Sequence, residues 1–333
     1  MLKKIAFAVI LPVFLVTFGV GFWIYQIEYF LNNTFVKKEV RIQKNEPFSS
    51  VYKKIFTDMQ TPKFFEFYLK KVRKFPEKIR YGYYEADNKT IEQFLADIEN
   101  GKESRLKLTI PEGYNLYDIA KKIESLEIMD KERFLKLTHD KEFVSKVTSM
   151  DIDTLEGFIF PDTYFVTTDI KEEEFIYQAY RNFIQKLPDN FEMELKKRGL
   201  TFYQGVILAS IIQKETYIDS EYPLVASVFY NRIKKKMRLQ SDPTIIYGIY
   251  DRFNGNIRKV DILDSSNRYN TYQINGLPPT PICNPSIGAL MAVIKPAETD
   301  YLFFVSKNDG SHIFVKSYEE HQKNVRNYQL GKK

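Results

Sequence analysis

The stretch Leu208-Ala209-Ser210-Ile211-Ile212-Gln213-Lys214-Glu215-Thr216 reads as successive turns of a helix whose apolar side ends in a single carboxylate. At 3.6 residues per turn, Leu208, Ile211, Ile212 and Glu215 share one face, which surrounds the carboxyl group with hydrocarbon. That setting disfavours ionisation, and the partial negative charge of a helix C-terminus acts in the same direction. A carboxyl group kept protonated near neutral pH has the property required of a general acid. The same pattern also fits a Glu that leaves the apolar face at the helix end and points into water, so the neighbouring sequence has to decide between the two.

Outward from this helix, the chain changes character at about Leu155. Leu155-Glu156-Gly157-Phe158-Ile159-Phe160-Pro161-Asp162-Thr163-Tyr164 reads as a loop or short strand. Helices are expected at about 170–186 and 202–216, with a further one opening at Pro223. Asp242-Pro243 and Asn284-Pro285 each match an N-cap followed by proline at the first helical position. Asn231, one turn beyond Val228, is expected to be a buried amide bracing the Glu215 helix. Pro278-Pro279-Thr280-Pro281 is extended and stiff. Tyr301 to Ser306 and His312 to Lys316 form a hairpin around Asn308-Asp309-Gly310, and Ser317 with Glu320 caps a last helix.

Before Leu155 two segments repeat, offset by 68 positions from Val40 to Leu108. In each, a short strand (Val40-Arg41-Ile42 or Leu108-Thr109-Ile110) leads through a turn into a helix. The apolar helix positions are Phe48, Val51 and Ile55 in the first and Leu116, Ile119 and Ile123 in the second. Between them lie a strand at Arg80 to Tyr84 and a helix from Thr90 to Gly101, closed by a C-terminal glycine. The pattern suggests small α+β modules of the LysM-like kind, which serve either to hold glycan or as spacers.

At the N-terminus, Ile5 to Tyr25 carries no charge and is long enough to cross a hydrocarbon core of about 30 Å as a helix. Lys3 and Lys4 precede the run and Glu28 is the first charge after it, which places the N-terminus in the cytoplasm and the bulk of the chain outside it. Phe22-Trp23-Ile24-Tyr25 resembles an interfacial belt more than a cleavage site, so an uncleaved anchor is expected. The fold class is therefore α+β: a transmembrane anchor at 1–30, a LysM-like region at 38–150, and a larger mixed α/β domain at 151–333 with long helices and a C-terminal hairpin.

Composition excludes several functions. One cysteine, Cys283, rules out an internal disulfide and reads as a small core residue. His139, His312 and His321 lack metal-ligand spacing, so no metal is expected. The net charge of +6 is spread along the chain, with no arginine-rich arm, which argues against nucleic-acid binding.

Five segments, in this order and spacing, resemble the YceG-like (MltG) endolytic murein transglycosylases. They are Leu155-Glu156-Gly157-Phe158 with Phe160-Pro161-Asp162-Thr163-Tyr164; Ala209-Ser210-Ile211-Ile212 with Lys214-Glu215-Thr216; Val225 to Arg232; Leu239-Gln240-Ser241-Asp242-Pro243-Thr244 with Tyr247-Gly248; and Tyr269-Asn270-Thr271-Tyr272 with Gly276-Leu277-Pro278-Pro279. The resemblance implies a single-pass enzyme of the cytoplasmic (inner) membrane that cuts peptidoglycan glycan strands between N-acetylmuramic acid and N-acetylglucosamine, leaving 1,6-anhydro ends. It implies Glu215 as acid/base, no cofactor, and glycan-polymerising synthases as partners. Gln213 stands where relatives often carry a second Glu, which leaves Glu215 the only carboxylate of its motif. Thr280 replaces a glycine of the proline-rich loop.

Further pocket residues follow from side-chain chemistry. Gln240, Asn270 and Tyr272 have polar tips suited to acetamido groups, and Tyr247 suits the underside of a sugar ring. Asp242 serves as N-cap or in the pocket, and Glu156 either holds the pocket loop or acts as a second acid. Two other functions remain open: a non-catalytic peptidoglycan-binding scaffold, and a hydrolase pairing Glu215 with Glu156 or Asp242.

Overall fold

The computed structural model of the protein describes residues 2–330. Met1 and the last three residues of the expected 151–333 domain lie outside the described residues, as do the side chains of Lys3 and Lys4 that carry the orientation argument. The chain divides into two compact units, Met1–Lys107 with Phe165–Asp169, and Leu108–Tyr164 with Ile170–Lys333.

In the first unit a helix runs over Leu2–Asn33. Within it, Ile10–Asn33 has a mean hydropathy of 1.8, and among the described residues it is the one helix long and apolar enough to cross a membrane. The helix extends past the expected end at residue 30, and its last turns leave the exposed apolar pattern. Ile27 and Leu31 are buried in the core of this unit with Val40, Val51, Ile55 and Leu95. Tyr68 donates to Glu28 Oε1 at 2.7 Å and Trp23 Nε1 donates to the Lys63 carbonyl at 2.9 Å, so polar bonds fix the same turns.

The two strands of this unit, Phe35–Ile42 and Gly82–Thr90, pair antiparallel from Phe35 opposite Thr90 to Ile42 opposite Gly82. Helix Phe48–Phe56 follows the first strand and Ile91–Asn100 the second. Thr90 and Gln93 form a reciprocal capping box at the start of Ile91–Asn100, and Gly101 ends it at φ 66°, a left-handed conformation that a side chain resists.

The second repeat, from Leu108, falls in the larger unit. The division lies at Lys107/Leu108, because helix Leu116–Ser125 buries Leu116, Ile119 and Ile123 there. The larger unit is mixed α+β, mostly helical with small two-stranded sheets, and it includes the expected C-terminal hairpin. Helix Phe202–Glu215 is its centre. Every residue from Gly205 to Gln213 is buried, which corrects the one-sided apolar face to a helix enclosed all round. Around it pack helices Phe191–Lys197, Tyr222–Lys234, Asp242–Gly248 and Ile287–Ile294. Cys283 is buried against this helix, its Sγ 3.2 Å from the Ser210 carbonyl.

Both Asx-Pro expectations are corrected. Ser241, not Asp242, occupies the N-cap of Asp242–Gly248, and Ser286, not Asn284, caps Ile287–Ile294 through a bond from the Ala289 amide. Asn284 is fully buried and binds the Ile159 amide and the Tyr114 carbonyl, tasks that the sequence pattern does not display. Asn231 donates to the Thr299 and Tyr301 carbonyls, bracing the segment that leads into the hairpin and not the Glu215 helix. The hairpin itself, Phe303–Ser306 with His312–Val315, pairs antiparallel.

Candidate active site

Glu215 is the last residue of its helix, and Thr216 leaves it in extended conformation at φ −148°. Glu215 is half-buried as a residue and lines a cavity of about 500 Å³. Arg232, Gln240, Asp242 and Tyr272 line the same cavity, with Phe303 and His312 of the hairpin.

Ser241 determines how the acid is presented. It sits at a helix N-cap, where a serine usually accepts from the second or third amide, yet its side chain makes no such bond. Its hydroxyl donates instead to Glu215 Oε1. Ser241 is itself immobilised: its amide donates to Thr271 Oγ1 at 2.9 Å and its carbonyl accepts from Thr244 Oγ1 at 2.7 Å. With Oε1 occupied, Oε2 is the oxygen left for a ligand.

Burial pushes the Glu215 carboxyl up to about 7, and the Asp242 charge adds to the rise; the Ser241 bond and the Arg232 charge oppose it. Loss of hydration thus outweighs the local partners, which is the balance expected of a carboxyl in an apolar setting. Arg232 is buried, and its guanidinium is satisfied by backbone: Nε donates to the Leu302 carbonyl at 2.7 Å and NH1 to the Leu239 carbonyl at 2.8 Å. A cation held by neutral carbonyls keeps its full charge for the cavity.

The other sequence-derived candidates separate into two groups. Gln240, Asp242 and Tyr272 share the Glu215 cavity. Gln240 holds φ 51°, a left-handed conformation uncommon for a side-chain-bearing residue. Its amide donates to the Thr271 carbonyl and its Oε1 accepts weakly from Arg232, while Nε2 makes no bond among the described residues. Tyr272 donates to Asp242 Oδ1 at 2.8 Å, so the carboxylate is spent on a tyrosine rather than on a helix cap.

Asn270 does not reach the cavity. It is fully buried, and its Nδ2 donates to the carbonyls of Asp261, Ile262 and Asp264, which makes it a loop brace. Glu156 and Tyr247 also lie apart from Glu215. Glu156 is fully buried, accepts from the Leu116 amide at 3.1 Å and from the Tyr247 hydroxyl at 2.9 Å, and is pushed up to about 8 by burial against those bonds. The Gly157 beside it, at φ 88°, leaves no room for a Cβ, which would meet Pro281 Cβ at 2.7 Å.

Sequence reasoning missed three contributors. Ser241 and Arg232 appear in the sequence only within longer motif segments, with no role assigned to either side chain. His312 reads there as a hairpin residue and as a histidine without metal-ligand spacing, not as a member of the pocket. Its amide and its Nδ1 both contact Glu221, at 2.8 and 2.7 Å, and Thr216 Oγ1 donates to the same carboxylate at 2.9 Å. The hairpin is therefore tied, through one carboxylate, to the residue following the acid. Among the described residues no group of His, Cys, Asp and Glu is arranged to hold a metal ion.

Known proteins resemble this chain over most of its length. The model of the YceG-like family matches residues 40–327. An endolytic murein transglycosylase of Bacillus subtilis (strain 168) is 32% identical over 67% of this chain, the match spanning 65% of that protein. One of Streptococcus pneumoniae (strain ATCC BAA-255 / R6) is 29% identical over 74% of this chain and half of its own length. The matched region thus falls short of the full length of both relatives. The crystal structure of a YceG-like protein from Listeria monocytogenes superposes with a TM-score of 0.63 at 30% identity, covering 86% of this chain and 98% of that one.

Proposed function

Since the chain belongs to the YceG-like family, we propose that it is an endolytic lytic transglycosylase that cleaves peptidoglycan glycan strands between N-acetylmuramic acid and N-acetylglucosamine. The observation that carries this reading is Glu215, raised to about 7 by burial and lining a polar cavity with one oxygen occupied by Ser241.

Protonated Glu215 gives its proton to the glycosidic oxygen as the bond to the anomeric carbon breaks. The resulting carboxylate then takes the proton from the 6-hydroxyl of the same muramic acid residue, whose oxygen bonds to the anomeric carbon. The proton is restored and no water is consumed. The second carboxylate that hydrolases use to activate water or attack the sugar is therefore unnecessary. The unbonded Nε2 of Gln240 is suited to an acetamido carbonyl, and the Asp242–Tyr272 pair to sugar hydroxyls.

A two-carboxylate hydrolase is the second reading, motivated by Asp242 lining the same cavity. In either case the apolar N-terminal helix supports a membrane anchor, and Lys3 and Lys4 before it favour an N-terminus in the cytoplasm, with the enzyme facing nascent glycan and its synthases.

Full-length protein in detergent, incubated with uncrosslinked glycan strands beside its Glu215→Gln variant, tests the proposal by mass spectrometry. Internal fragments with anhydro ends from the unsubstituted protein alone are expected. Reducing ends identify the hydrolase, and intact strands from both refute a cleaving enzyme.

A further inference from the structure

A second cavity of about 440 Å³ lies within the larger unit and shares no lining residue with the Glu215 cavity. Its volume falls in the roughly 300–1,000 Å³ range of small-ligand pockets. Four tyrosines contribute to its walls: Tyr117, Tyr247, Tyr250 and Tyr269. Tyr117 stacks on Tyr250 at 4.9 Å and 21°, and Tyr247 meets Tyr269 edge-on at 4.9 Å and 67°.

Three of the four hydroxyls are anchored. Tyr247 donates to buried Glu156, Tyr250 donates to Asp118 Oδ1 at 2.8 Å while accepting from Lys121 at 2.9 Å, and Tyr269 shares a bond of 3.0 Å with Thr280. Rings held this way are fixed before a ligand arrives, which lowers the ordering cost of binding.

The rim selects the ligand class. Arg252 is already paired with Asp261 and Asp264, and Asp153 with Lys141. Arg268 and Asp251 remain, one charge of each sign, with no ion pair among the described residues. Such a rim offers hydrogen bonds without favouring an anion or a cation, and its polarity opposes an apolar ligand. Flat aromatic faces inside a balanced polar rim match a pyranose, which has a C–H face to lay on a ring and hydroxyls around its edge.

We propose that this cavity is a second saccharide-binding site, distinct from the place of cleavage, which seats a sugar of a glycan strand against Tyr117. The saccharide class follows from the cavity alone; the choice of an N-acetylated sugar rests on the proposed function. The site would give Tyr247 the sugar-facing position expected from sequence, in a different cavity from Glu215. A strand engaged here and at Glu215 would be held at two points during cleavage.

The test is calorimetric titration of a tetramer of N-acetylglucosamine into full-length Glu215→Gln protein in detergent. Tyr117→Ala is expected to weaken binding at least 5-fold and Tyr117→Phe, which keeps the ring, to retain it. Arg268→Ala, at an exposed position, is expected to weaken it 2- to 5-fold with an unchanged melting temperature. Tyr272→Ala, which alters the Glu215 cavity, should leave the Tyr117-dependent binding in place. Binding that is unaffected by both Tyr117→Ala and Arg268→Ala overturns the proposal. Because these titrations need no turnover, they stand or fall separately from the appearance of anhydro ends in the cleavage experiment.

Discussion

Glu215 illustrates how a single residue acquires its chemistry from its surroundings. Its proton affinity is raised mainly by burial, and Ser241 works against that rise by donating to Oε1. Two outcomes follow. The rate of strand cleavage, measured as kcat/KM against pH, should fall as pH rises through about 7, when the free enzyme loses the acid. Ser241→Ala removes a bond that favours the carboxylate, so the same limb should move to higher pH. Stability carries the matching sign. A carboxyl bound more tightly to its proton in the folded state than at the unfolded value of 4.5 contributes fully at pH below 4.5, and that contribution is lost as pH rises through about 7. Glu215→Gln should therefore be more stable than the parent by about 1–3 kcal/mol at pH 8 and nearly equal to it at pH 4, as urea unfolding at both values would register.

At the scale of elements, the bond set around Glu221 joins a helix end to a hairpin. Burial works against its ionisation, but the His312 ring and amide and the Thr216 hydroxyl together hold its carboxyl below the usual range. The stabilisation is present above the unfolded carboxylate value and is lost as pH falls through the lowered one. Glu221→Ala removes three hydrogen bonds to one carboxylate, and a loss of about 1.5–3 kcal/mol is expected. Cleavage should fall with it, since His312 lines the Glu215 cavity and Thr216 fixes where the helix stops; thermal unfolding and product assays on one preparation measure both. The hairpin was legible in sequence from its Asn-Asp-Gly turn and flanking apolar strands. Its attachment was not, because Glu221 and His312 are distant in sequence and neither lies in a periodic pattern.

For the whole molecule, the N-terminal helix joins an exposed apolar stretch to a buried end. Ile27 and Leu31 belong to the core of the first unit, although composition alone assigns the region up to residue 30 to an anchor. A chain beginning at residue 34 should therefore be less stable in that unit than one beginning at residue 22, by about 3–6 kcal/mol and with a lower urea midpoint, from two fully buried aliphatic side chains at roughly 1.5–3 kcal/mol each. Equal midpoints would show that the last turns of the helix contribute nothing. Local patterns determined much by themselves: the apolar helix, the strand-turn-helix segments, the capping box at Ser317, the hairpin, and Glu215 at the end of a hydrocarbon-rich helix. These are read from neighbours a few residues apart, where backbone geometry dictates which side chains meet. Tertiary structure decided what depends on distant partners: that the second repeat joins the larger unit, that Ser241 serves Glu215 instead of capping, and that Asn270 braces a loop. It also placed Tyr247 and Glu156 away from the acid. A hydroxyl, amide or carboxylate can satisfy many partners, so only the packed chain fixes which one it meets.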